Sequence, residues 1–208
     1  MKFFEFTDRN FVAHFATQTR RADISPKELS ENHKYLGRFL AENISDFLEM
    51  EEIDINHPQG IKKGKSIKES NVIILCFMRA GLYVAEGIRE VLHNASLVTV
   101  KPIKGAGLNK NDLSQLPPDL YNRHIIIADS VVNTGKSLFP VLEQLENCGV
   151  KSIHVASLVM PLKTAQHIKS TYKESEKICF HIARISENSY VGKGKTDTGN
   201  RLFGKFYE

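Results

Sequence analysis

Cysteine is scarce and unpatterned. Cys76, Cys148 and Cys179 are far apart and make no metal-type pairs, which argues against a zinc site and against a disulfide framework. Their odd number, with Cys76 and Cys179 in apolar runs, reads as reduced core thiols of a cytoplasmic protein. No apolar run approaches the roughly 20 residues that a bilayer requires, so no membrane association is expected. The opening MKFFEFTDRNFVAHF carries acids among its apolar residues and lacks the h-region of a signal peptide. A surplus of one charge is missing too. With 28 Lys and Arg against 24 Asp and Glu, the net charge is +4 and there is no dense basic run. That balance suits a small anionic ligand and gives no reason to expect nucleic acid. Repeats, low-complexity stretches and linkers are absent. The 208 residues are therefore expected to form one domain, with a core at about 71–185 and a cap from about 1–55 and 186–208.

What is present is alternation. Ser25 and Glu28 form a capping-box pattern with Pro26 at the first helical position, and Leu29, Leu36, Leu40, Ile44 and Phe47 recur at helical spacing. NHPQGIKKGKS then reads as a basic, turn-rich connector. Beyond it, NVIILCF, SLVTVKPI, HIIIAD, KSIHVASLVM and KICFHIA read as strands. The segments GLYVAEGIREVLH, GKSLFPVLEQLENCG and PLKTAQHIKSTY read as helices between them. Strands with continuous apolar runs, separated by helices, predict an α/β fold with a mostly parallel central sheet flanked by helices. KGAGLNKNDLSQLPPDLYNR is a long polar insert, read as a mobile loop or flap.

In such a sheet, ligands bind outside the carboxyl ends of the strands. HIIIAD delivers Asp129 to that edge. The run Ser130-Val131-Val132-Asn133-Thr134-Gly135-Lys136-Ser137 then turns toward a helix, whose N-terminus suits a phosphate. Gly135-Lys136-Ser137 ends like a nucleotide P-loop, but the leading glycine of that motif is replaced by Ser130. A carboxylate inside the loop would also repel a triphosphate. Asp129 makes sense as the acceptor for two vicinal ribose hydroxyls, with the loop holding a phosphate on the same sugar. Strand, acid, then Thr-Gly-x-Ser resembles the phosphoribosyl pyrophosphate (PRPP) pattern of type I phosphoribosyltransferases. Arg79-Ala80-Gly81-Leu82 opens a second helix on the same edge, where Arg79 could grip a further anion.

With the tail Thr196-Asp197-Thr198-Gly199-Asn200-Arg201-Leu202-Phe203-Gly204, these stretches resemble the uracil phosphoribosyltransferase family from about residue 71 to the end. The resemblance implies transfer of phosphoribose from PRPP to uracil, giving UMP and pyrophosphate. Arg79, Asp129 and Asp197 would be the catalytic group. Arg79 and Lys104 would contact the pyrophosphate, residues 129–137 the ribose 5-phosphate, and Asp197 the PRPP side. Val191, Thr196, Asp197 and Thr198 would frame the base. It further implies magnesium carried by PRPP rather than held directly by protein, and a homodimer or higher homo-oligomer. The chain departs from the family at Lys136, a glycine there; at Gly192-Lys193, usually Ile-Pro; at Thr196, a glycine; and at Asn200, an acid. Lys104 stands where the family usually has arginine. These departures leave open a catalytically weakened PRPP- or nucleotide-binding regulatory paralogue, or a transferase for another base. A P-loop kinase is a more distant reading.

Overall fold

The computed structural model describes residues 1–188 and 196–204. Its main sheet has six parallel strands in the order β1 (Lys2–Glu5), β8 (Ile178–Ser186), β7 (Ser152–Pro161), β6 (His124–Val131), β4 (Val72–Phe77), β5 (Ser96–Val100). Every residue of β4 is buried, as are Ile125, Ile126 and Ile127 of β6. This is why the central strands read as unbroken apolar runs: both faces are covered. On one face lie α5 (Phe139–Asn147) and α6 (Leu162–Thr171), through Val141, Leu142, Leu145 and Ile168. The other face is covered by α1 (Asn10–Arg20), α2 (Pro26–Ser45) and α3 (Leu82–Arg89), through Val12, Leu36, Leu40, Ile44, Val84 and Ile88. The mostly parallel sheet flanked by helices is thus present.

Helix α2 begins as its sequence dictates. The Ser25 hydroxyl accepts from the Glu28 amide at 3.2 Å, and the Ser25 amide donates to the Glu28 carboxylate at 3.1 Å. It packs almost backbone to backbone on α3. A Cβ on Gly37 would strike the Val84 carbonyl, and one on Gly87 would strike the Lys34 carbonyl. Glycine at both contacts is what allows this approach.

Four sequence readings change. The N-terminal segment is more than a cap, because β1 adds an edge strand parallel to β8, pairing Lys2 with Cys179 through Glu5 with Ile182. The basic connector belongs to an antiparallel hairpin, β2 (Met50–His57) and β3 (Gly60–Ile67), joined through Pro58-Gln59 with Gly60 at φ +103°. The hairpin is exposed along most of its length and carries a Lys63–Asp54 ion pair at 2.7 Å, so it lacks a core strand's pattern. The expected mobile insert contains a capped helix, α4 (Lys110–Ser114), and Leu108, Leu116 and Leu120 are buried beside α5. Cys76 and Cys179 are buried and free, but Cys148 is exposed at the end of α5. Among the described residues, no helix is long and apolar enough to cross a membrane.

Candidate active site

Strand β6 continues two residues past Asp129, and its period of two decides what faces what. Ile126, Ala128 and Ser130 face the α2 and α3 layer, while Asp129 and Val131 face the opposite side. Asp129 lies between β4 and β7, opposite Ser157, and its Oδ1 accepts from the Val131 amide at 3.4 Å. Burial pushes its carboxyl up to about 7, against the opposing pull of the Val131 and Ser130 amides.

The following loop is braced from three sides. The Val132 amide donates to the Val159 carbonyl at 3.2 Å and to the Ser157 hydroxyl at 3.3 Å. The Thr164 hydroxyl donates to the Asn133 carbonyl. From the insert, the Gly105 amide donates to the Lys136 carbonyl at 2.8 Å. Gly135 sits at φ +74°, and its carbonyl accepts from Leu138 and Phe139, turning the chain into α5. The helix therefore starts at Phe139 rather than at Gly135, as a left-handed residue cannot open it. A Cβ at Gly135 would overlap the Phe139 ring. Gly135→Ala is expected to cost on the order of 2 kcal/mol, combining a left-handed alanine with that overlap. The midpoint of a thermal melt should drop by several degrees.

Two adjoining cavities open at this edge. The first, about 490 Å³, is walled by the run 131–138 together with Asp129, Lys104, Asp197 and Thr198. The second, about 370 Å³, is reached by Arg79, Met78, Phe77 and Pro102. Ala80, Lys104, Asp129, Ser137, Asp197 and Gly199 belong to both. Gly81 allows this closeness, since a Cβ there would strike the Ala128 carbonyl.

The tail closes onto the same edge. Asp197 caps α7 (Thr198–Phe203), its Oδ1 accepting from the Asn200 amide at 2.8 Å. Arg79 donates to the Asn200 Oδ1 at 2.8 Å and to the Gly204 carbonyl at 3.3 Å. Arg201 donates to the carbonyls of Thr19 at 2.9 Å and Arg21 at 2.8 Å, satisfying groups at the end of α1. Phe203 stacks on Tyr83 at 5.4 Å and 9°.

A family model described as uracil phosphoribosyltransferase matches residues 6–205. The chain belongs to the uracil phosphoribosyltransferase family. The uracil phosphoribosyltransferase of Dictyoglomus turgidum is 26% identical over 207 residues, covering 95% of this chain and 97% of that one. That of Thermococcus sibiricus is 26% identical, covering 98% and 90%. Among solved structures, the AQ2163 protein from Aquifex aeolicus superimposes with a TM-score of 0.80 at 20% identity, over 99% of this chain and 100% of that one. The adenine phosphoribosyl transferase of Trypanosoma brucei, solved with AMP, pyrophosphate and ribose-5-phosphate, gives 0.53 at 16% identity, over 89% and 84%. Both share the fold.

For this member of the uracil phosphoribosyltransferase family, most of the expected site residues converge. Asp129, Val131, Val132, Asn133, Thr134, Gly135, Lys136, Ser137, Lys104, Asp197 and Thr198 line the first cavity, and Arg79 lines the second. Ser130 does not: its side chain is buried on the opposite face of β6. Thr196 is exposed and lines neither cavity, and Val191 lies outside the described residues. Asn200 and Gly204, which hold Arg79, carry no signal in the sequence beyond their place in the tail motif.

A second group of chemistry-bearing residues lies toward the amino ends of the strands. His154, Cys179 and His181 place their donor atoms within 4.8 Å of one another, all buried, and none of them lines either cavity. Their nitrogens are engaged in a chain: His124 Nδ1 to Ser152 Oγ at 2.7 Å, Ser152 Oγ to His154 Nε2 at 2.8 Å, His154 Nδ1 to His181 Nε2 at 3.2 Å. Among the described residues, the end nitrogens, His124 Nε2 and His181 Nδ1, have no partner. Each neutral ring has one N–H, so whichever way the chain runs, one end is an unpaired donor and the other an unpaired acceptor. This is a hydrogen-bonded strip of core.

Proposed function

We propose that the protein transfers the 5-phosphoribosyl group of PRPP to uracil, releasing pyrophosphate and giving UMP. One observation carries the reading in a chain of this family. Two adjoining cavities of small-ligand size share a wall containing Asp129; one is wrapped by a braced glycine loop and the other is reached by Arg79. PRPP is a sugar with a phosphate on one side and a pyrophosphate on the other, and it matches that pair.

In this reading the 131–137 loop holds the 5-phosphate, with the Thr134 and Ser137 hydroxyls as donors and Lys136 adding charge. Asp129 accepts from the ribose hydroxyls. Arg79, fixed by Asn200 and Gly204, and Lys104 meet the pyrophosphate and stabilise it as it leaves. N1 of uracil bonds to C1′ as the C1′–O bond to pyrophosphate breaks, the N1 proton leaving to solvent or to the departing pyrophosphate, and Asp197 and Thr198 border the base. Positioning and leaving-group stabilisation supply the acceleration. Asp129 and Asp197 present hard carboxylate oxygens at the wall common to both cavities, which suits a magnesium ion that keeps most of its water. Magnesium brought with PRPP would neutralise charge on the leaving group, with these two carboxylates holding it through water.

The test is pyrophosphate release from PRPP and magnesium with a panel of bases. Release with uracil is expected, falling to background when EDTA removes the metal. Turnover only with a different base would reassign the substrate. PRPP binding with no turnover on any base would make the protein a regulatory paralogue.

A further inference from the structure

Ser130 and His33 form a buried contact that the transfer reaction, as described above, does not use. Ser130 is 1% exposed and His33 is 3% exposed. The Ser130 hydroxyl donates to the Ala80 carbonyl at 2.6 Å. Its proton is therefore committed, so His33 Nδ1, 3.1 Å away, must be the N–H that donates to the Ser130 oxygen. The ring is neutral: burial first, then the nearby Arg201 guanidinium, push His33 down to about 3.

The position of this chain matters more than its strength. Ala80 lies in the loop that carries Arg79 and lines both cavities. Ser130 follows Asp129 directly on β6, so its hydroxyl ties the Asp129 strand end to the Arg79 loop. His33 can reach the junction because Gly37 and Gly87 let α2 lie against α3. The two loops thus meet through one side-chain bond, held from behind by a helix on the far face of the sheet.

We propose that Ser130 and His33 are positioning residues whose hydrogen-bond chain to the Ala80 carbonyl sets the separation of the phosphoribose and pyrophosphate subsites. The proposal rests on the reading that PRPP spans both cavities. A ligand filling one cavity is indifferent to their separation, whereas a ligand bridging both is sensitive to it. Loss of the chain weakens PRPP selectively.

The experiment is calorimetric binding of three probes in the presence of magnesium: PRPP, ribose 5-phosphate and pyrophosphate. For Ser130→Ala and His33→Leu, the PRPP dissociation constant is expected to rise about tenfold, the worth of one well-made hydrogen bond. The values for ribose 5-phosphate and for pyrophosphate should stay within about twofold of the parent's. His33→Asn, whose amide can donate near the place of Nδ1, should restore PRPP binding to within about threefold, and it remains informative if His33→Leu fails to fold. A fall in melting temperature with unchanged PRPP affinity would make the pair simple packing and overturn the proposal. So would an equal weakening of all three probes. Binding needs no turnover, so a parent protein that binds PRPP but does not convert uracil refutes the transfer reaction and still tests the clamp. A parent that binds no PRPP refutes both.

Discussion

Asp129→Asn is expected to lower kcat/KM for PRPP by about 10²- to 10³-fold while raising the melting temperature at alkaline pH. The first effect follows from what the carboxylate is asked to hold. Each hydrogen bond from a ribose hydroxyl to an ionised acceptor contributes about 1.5–3 kcal/mol, and the amide removes both the charge and one acceptor oxygen. A loss of about 3–4 kcal/mol in the transition state corresponds to that rate range. The second effect follows from the site without ligand. Burial raises the Asp129 carboxyl from 3.8 to about 7. A folded-state value above the unfolded one means that the group's contribution is fully present below about pH 4 and is lost as pH rises through about 7. Above that, the folded protein holds a charge it would be more stable without. The full shift of roughly three units is worth about 4 kcal/mol, and the water reaching Asp129 from the cavity reduces it to on the order of 2. Asparagine removes the penalty, so melts near pH 8 should rise by several degrees and melts near pH 5, where only about a third of it has developed, by correspondingly less. Near-wild-type turnover would remove Asp129 from the site. A lower melting point near pH 8 would mean that its charge is not a burden on the fold.

What could be read from the sequence follows burial. Strands β4 and β6 announce themselves because both of their faces are covered, and α2 because its capping box and apolar stripe agree. The hairpin β2–β3 has no buried face to leave a pattern, and β1 is four residues long; neither stands out beside charged neighbours. At the site, Asp129 with Thr134 and Gly135 was legible since strand end, acid and glycine are consecutive. Chain order alone places Ser130 in the cavity with its neighbours. The strand's alternation, carried one residue past Asp129, turns it to the opposite face. The grip of Asn200 on Arg79 joins residues 121 apart in the chain, and no local pattern encodes such a meeting. His33 is an intermediate case. It falls on the stripe of Leu29, Leu36 and Leu40, so helical spacing alone places it inward, yet only the fold shows Ser130 waiting there.

Inward-facing histidines carry the largest expected effect on stability: the protein should lose stability steeply on mild acidification. Burial holds His33 and His154 down to about 3 and His181 to about 4, with His154 lowered further by His181, His124 and Lys2. His124 is lowered in the same direction, chiefly by burial. A folded value below the ordinary 6.5 means that the stability is present above about pH 6.5 and is lost as pH falls, because the unfolded chain takes up protons that the folded one refuses. At about pH 5 each of the three costs roughly 2 kcal/mol, or about 6 together, against total stabilities of about 5–15 kcal/mol. Asp129 works the other way, since the folded protein gains its proton as pH falls through about 7. Near pH 5.5 the unfolded state should therefore bind about two more protons than the folded state: nearly three from the histidines, less one for Asp129. Urea unfolding from about pH 7 to 5 should show a slope of on the order of 2.5 kcal/mol per pH unit. In Asp129→Asn the counterweight is gone, and the slope should steepen to on the order of 4. A wild-type slope near zero would place charged histidines in the folded core. Equal slopes in the two proteins would show that Asp129 titrates alike in both states, and its raised value would no longer explain the stability change near pH 8.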